Sequence, residues 1–126
     1  MSVTKSVTDR RLVLSASTLI GGEVTNHQGE DLGHIKELMI DVNTGQLAYA
    51  VVSYGGVMGF RDKLFAVPWS ALRLNPQEKM FLLDVSKKRL EEAPGFDKDH
   101  WPDMADNHWS DAIDRYYGIS AQRYDG

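Results

Sequence analysis

The run Gln46-Leu47-Ala48-Tyr49-Ala50-Val51-Val52-Ser53-Tyr54 constrains this chain more than any other. It is rich in β-formers and apolar on both alternate sets of positions, so a strand here must be covered on two faces. The run before it, Leu32 to Val42, alternates instead, with Leu38, Ile40 and Val42 on one side and Met39 and Asp41 on the other. Leu38, Ile40 and Val42 are therefore the expected inward face. Between the runs, Val42-Asn43-Thr44-Gly45 has hairpin chemistry, with Gly45 free to take positive φ at the end of the loop. The alternation slips between Ile35 and Leu38, which predicts a bulge at Lys36-Glu37 and a bent strand. Bent, paired strands of this kind suit a small barrel. Its interior covers one face of Gln46–Tyr54, and the C-terminal segment or another subunit has to cover the other.

The rest of the chain fits that frame. Residues 1–11 are polar and aperiodic and read as a tail. Leu12-Val13-Leu14 is expected to add a short strand, and Ser15 to Ile20 a helical turn capped by Ser15 or Ser17. Glu23-Val24-Thr25 is a short strand closed by a turn at Asn26-His27-Gln28-Gly29. Leu64 to Val67 is a strand ended by Pro68, which cannot donate to a ladder. Leu72-Arg73-Leu74 and Met80 to Val85 make a last hairpin, and Ser86 to Glu91 a short helix with Leu90 turned inward. The expected class is mainly β: a small antiparallel barrel over residues 12–96, with short helical turns.

Residues 97–126 differ in character. Trp109, Ala112, Ile113, Tyr116 and Tyr117 form one apolar stripe at helical spacing, with Asn107 as N-cap and Gly118 as stop. His100-Trp101-Pro102-Asp103-Met104-Ala105-Asp106 is echoed by His108-Trp109-Ser110-Asp111-Ala112-Ile113-Asp114, which suggests two aspartate-led helix starts, each with a Trp anchor. This segment reads as an acidic, aromatic helical extension.

Charge and composition narrow the function. The net charge is −4, and residues 97–126 carry seven Asp against Lys98, Arg115 and Arg123. No basic footprint for nucleic acid is visible. No apolar run approaches the roughly 20 residues needed to span a bilayer. Arg10-Arg11 precedes an apolar stretch broken by Ser15, Ser17 and Thr18, which does not make an export signal. The absence of cysteine excludes disulfides and thiol chemistry and suits a cytoplasmic location.

Several short motifs then coincide in order and spacing. They are Leu19-Ile20-Gly21, Leu32-Gly33-His34-Ile35, Ile40-Asp41 before Thr44-Gly45, Tyr49-Ala50-Val51-Val52, and Gly55-Gly56. Phe65-Ala66-Val67-Pro68-Trp69-Ser70-Ala71-Leu72 and Leu90 with Ala93-Pro94-Gly95-Phe96 complete the set. Over about residues 15–96 the chain resembles the PRC-barrel family, named for the cytoplasmic domain of the photosynthetic reaction centre H subunit. The resemblance implies a PRC-type antiparallel β-barrel acting as a protein-interaction or assembly module without catalytic residues. It also implies, by family analogy, peripheral association with a membrane complex.

Site chemistry weighs in the same direction. His27, His34, His100 and His108 lie among many aspartates, but His100 and His108 are eight apart, not at the spacing that puts two ligands on one helix face. Asp41-x-Asn43-x-Gly45 lacks the remaining ligands of a calcium loop, and Gly55-Gly56-Val57-Met58-Gly59 lacks the Lys-Ser/Thr of a phosphate loop. No catalytic, cofactor or metal site is expected. The expected interaction surface joins Tyr49 and Val51, the loop residues Val57, Met58 and Phe60, and Trp109, Ile113, Tyr116 and Tyr117. Its expected partners are a second copy of the chain, in a homodimer, and an unidentified protein. The alternative is a metal- or small-molecule-binding barrel using His34 and the acidic, His-containing C-terminal segment.

Overall fold

The computed structural model describes residues 12–55 and 63–118. Helix α1 (Ala16–Leu19) precedes β1 (Glu23–Thr25), β2 (Asp31–Asp41), β3 (Gln46–Tyr54) and β4 (Lys63–Pro68). A 3-10 turn at Trp69–Ala71 leads to β5 (Leu72–Asn75), β6 (Met80–Leu83), α2 (Lys87–Glu91) and α3 (Asn107–Tyr116). The segment Leu12–Leu14 forms no strand and lies exposed.

The strands make one sheet in the order β4-β3-β2-β1-β6-β5. Its outer strands would lie about 24 Å apart if it were flat. The link from Pro68 to Leu72 spans at most about 15 Å, so the sheet must curl until β4 and β5 approach one another. The curl needs bends, and β2 supplies one at the expected place: Ile35 pairs with Val52 and Glu37 with Val51, leaving Lys36 as the extra residue.

The pairing is mixed, not purely antiparallel, because β6 runs parallel to β1. Its cause is the 3-10 turn, which carries the chain across without reversing it. β5 keeps the sense of β4, and β6 then returns alongside β1.

A second register shift corrects the inward face assigned to the hairpin. Met39 pairs with Tyr49 and Ile40 with Leu47, so Ala48 is an extra residue on β3. Beyond it the hairpin overhangs the barrel, leaving Ile40 54% and Val42 86% exposed. Gly45 does take positive φ, 78°, closing a loop held by two N–H groups donating to the Asp41 carbonyl.

Inside the curl, Val24, Leu32, Ile35, Ala50, Val52, Phe65, Val67, Phe81, Leu83 and Leu90 form the main core. Trp69 stands edge-on to Phe81 at 5.9 Å and plugs the end where β4 hands over to β5. Gly33, at φ 109°, lets β2 pass so close to the Ser53 carbonyl that a Cβ would collide with it. Helix α2 is short and starts against its own charges, so Ser86 capping the Arg89 amide and the fully buried Leu90 hold it in place.

One buried polar residue ties the first turn to α2. The Asn26 side chain donates to Glu30 Oε1 at 2.7 Å and to the Val85 carbonyl at 2.9 Å, and accepts from the Gln28 and Glu30 amides. Glu30 Oε1 also accepts the Lys87 amide at the start of α2. These hydrogen bonds, Asn26 first, hold the Glu30 carboxyl below its ordinary range. Asn26→Ala should therefore lower stability by roughly 1–3 kcal/mol in urea unfolding, because several hydrogen bonds of one buried side chain, to partners in two separate segments, are lost together.

Candidate interaction surface

The outer face of β3 and β4 is where the two-sided burial of β3 is settled. Val51 opposite Ala66 and Tyr49 opposite Pro68 place a small, flat apolar patch there. Helix α3 of the same chain lies across it. Tyr49, Ala66 and Ile113 are buried together, ringed by Met39, Ala48, Phe96, Met104, Trp109 and Tyr117. Trp109 meets Tyr49 edge-to-face at 5.2 Å and 65°. The helical stripe read from the sequence is thus the docked face. The N-cap is Asp106, whose carboxylate accepts the His108 amide, and not Asn107. Gly118, at φ 75°, follows the last turn.

The approach to α3 is built from turns. Phe96 pairs with Leu64 through reciprocal 2.8 Å hydrogen bonds, which tie the start of the segment to the edge of β4. Trp101 then packs against Phe96 with the rings tilted at 56° and 5.0 Å apart, and donates its indole N–H to the Lys98 carbonyl. The aspartates serve as local turn formers: Asp97 accepts the Asp99 amide and the His100 ring nitrogen, and Asp103 accepts the Ala105 amide. Of the two expected helix starts, only the second becomes a helix. Both tryptophans do act as anchors, on Phe96 and Tyr49.

A clasp between α2 and the end of α3 completes the attachment. Arg89 donates to the Tyr116 carbonyl at 2.7 Å, the Tyr116 hydroxyl donates to the Arg89 carbonyl at 2.6 Å, and the guanidinium lies 4.1 Å from the ring centroid. Nothing in the sequence marks Arg89 for this role, since its partner lies 27 residues away. On the other side of α2, the Tyr54 hydroxyl donates to Glu91 at 2.7 Å. Burial first, then Glu91, pushes the Tyr54 phenol up to about 12. Burial also raises the Tyr117 phenol, whose hydroxyl has no hydrogen-bond partner among the described residues.

The structure brings Tyr49, Trp109, Ile113 and Tyr117 of the expected surface together, but as an internal contact. Tyr49, Val51 and Ile113 are buried within the chain, and Trp109, Tyr116 and Tyr117 are half-buried. Val57, Met58 and Phe60 lie outside the described residues. His34 sits exposed on β2 opposite Ser53, and among the described residues no group of three or more His, Asp or Glu is placed to hold a metal ion. Beside α3, a groove of about 500 Å³ runs between the β2–β3 hairpin, the 3-10 turn and the helix start, lined in part by Asp41, Gln46, Trp69, Met104 and Asn107.

Sequence reasoning missed a different surface, at the opposite edge. Leu12 and Leu14 line a mainly apolar crevice of about 150 Å³ with Leu19, Leu74, Pro76 and Phe81. Leu12 is 59% and Val13 75% exposed, and Ile20 is exposed nearby in the chain. The signal was Leu12-Val13-Leu14 itself, which reads equally well as a buried strand.

A curled, mixed six-stranded sheet around one apolar core, with a helix across its outer face, defines a small barrel-like β domain. The sequence model of the PRC-barrel domain family matches residues 13–90, and the chain belongs to that family. Comparison with curated proteins gives no match. Among the described residues no helix is long and apolar enough to cross a membrane.

Two outcomes are expected. Ile113→Ala should weaken α3 docking by about 2–4 kcal/mol, seen as faster hydrogen exchange throughout α3 while the amides of β3 stay protected. In alkaline solution, unfolded tyrosines ionise near pH 10, whereas Tyr54 in the folded chain keeps its proton to about 12. From about pH 10 upward the unfolded state binds fewer protons, so the stability contributed by Tyr54, fully present below pH 10, should fall progressively up to about pH 12. Urea unfolding of Tyr54→Phe across that range should show a shallower fall.

Proposed function

We propose that this chain is a non-enzymatic interaction and assembly module, cytoplasmic and homodimeric, that docks a protein partner through its own apolar surface. The observation that supports it is the exposure of Leu12, Val13 and Leu14 along the apolar crevice against β5 and β6. Large exposed aliphatic side chains in one contiguous segment are a feature of docking surfaces. Membership of the PRC-barrel family and the absence of cysteine fit the same reading.

The homodimer has a changed rationale. α3 covers the outer face of β3 in its own chain, so a second copy is not required to bury it. A helix that covers its own sheet can, however, cover a neighbour's.

Leu12→Asp with Val13→Asp tests the docking surface, since both side chains are largely exposed and the fold should tolerate the change. The double variant should keep the wild-type thermal midpoint within about 2 °C. In affinity capture from the native source it should lose partners that the wild-type chain retains. Equal capture by both chains removes this surface from the proposal.

A further inference from the structure

We infer that the outer face of β3 and β4 is an exchangeable helix seat, taken by α3 of the same chain or by α3 of a second copy. The inference rests on the homodimeric reading above and names how that dimer forms.

Four observations carry it. First, the seat and its occupant are separate parts: the family match ends at residue 90, whereas α3 begins at Asn107. Second, α3 has ten residues, too few to hold a helix alone in water, so it is ordered by whichever sheet it docks on. Third, its attachments form a compact set that one neighbouring copy can reproduce whole. Ile113 and Trp109 meet Tyr49 and Ala66, and Tyr116 is clasped by Arg89. Fourth, the segment between Phe96 and α3 contains no helix or strand and is folded by local Asp turns and the tilted Trp101–Phe96 ring contact. Those contacts are local to the segment, so an extended path gives them up without disturbing the inner core.

Exchange of identical elements between copies conserves every contact of the closed form, so the two states differ mainly in the tether and in the entropy of association. The seat's chemistry also defines its ligand: a short amphipathic helix with an aromatic and a β-branched residue four apart on one face, as Trp109 and Ile113 are.

The experiment uses the full chain and sedimentation velocity over a concentration series. Removing Lys98 to Asp103 shortens the tether between Phe96 and α3 and so disfavours the return of α3 to its own sheet. The shortened chain should be dimeric at concentrations at least tenfold below those at which wild type dimerises. Adding Ile113→Asp should make it monomeric. A fluorescein-labelled peptide covering residues 104–118 should bind full-length Ile113→Asp, whose seat is vacated, at least tenfold more tightly than wild type, whose seat is filled. The peptide measurement stands even where the shortened chain does not fold. A wild-type dimer that Ile113→Asp leaves intact overturns the exchange and leaves the homodimer standing. Wild-type and shortened chains that both stay monomeric, with the peptide binding neither protein, overturn both.

Discussion

Burying β3 on two sides is the constraint from which the rest of this structure follows. Ala50 and Val52 face the curled interior, while Tyr49 and Val51 face outward, and all four are buried. The inner cover requires the sheet to roll up, which the bulge at Lys36 and the short Pro68–Leu72 link enforce. The outer cover requires an apolar plate of about one helix, which α3 provides with Ile113 and Trp109. A strand with only one buried face would have needed only one of these covers.

The acidic extension shows how charge can be structural without being a site. Asp97, Asp103 and Asp106 each accept a backbone amide two residues on, the second and third preparing the start of α3. An ionised carboxylate is a stronger acceptor for such turns than a neutral side chain. Of the seven aspartates in the last thirty residues, turns and the helix cap account for Asp97, Asp103 and Asp106. Three of them, at least, spend their acceptor capacity on folding the path that brings the helix to its seat.

Much of this was legible in the residues because it depends on local rules. Pro68 ending a strand, Gly45 at the close of a hairpin, the slip at Lys36 and the stripe from Trp109 to Tyr117 are all read from neighbours within eight positions. The family motif around Val67-Pro68-Trp69 is legible for the same reason: one residue stops β4, and the next plugs the barrel end against Phe81. What was not legible depends on partners far along the chain. Asn26 looks like an ordinary turn residue until Val85, 59 residues away, accepts its amide. Ile40 and Val42 look like core because alternation says which side a residue faces, but not whether the barrel extends far enough to meet it. The parallel β1–β6 pair likewise follows from a link that fails to reverse, and no pattern within either strand announces that.

The division of labour between the two covers has a physical consequence. The part matched to the family, residues 13–90, supplies nearly all of the inner core, with Ala93 just beyond it. The part beyond it supplies the helix that closes the outer face. Inner and outer clusters share β3 as a common wall, since successive residues of that strand point alternately into each. Disturbing the inner cluster moves the wall and so disturbs both. Disturbing the outer cluster removes a plate from a wall that the inner core still holds in place. Loss of α3 would therefore uncover the outer face and take away the Tyr116 and Tyr117 contacts with the inner cluster, while the buried residues of that cluster keep one another covered.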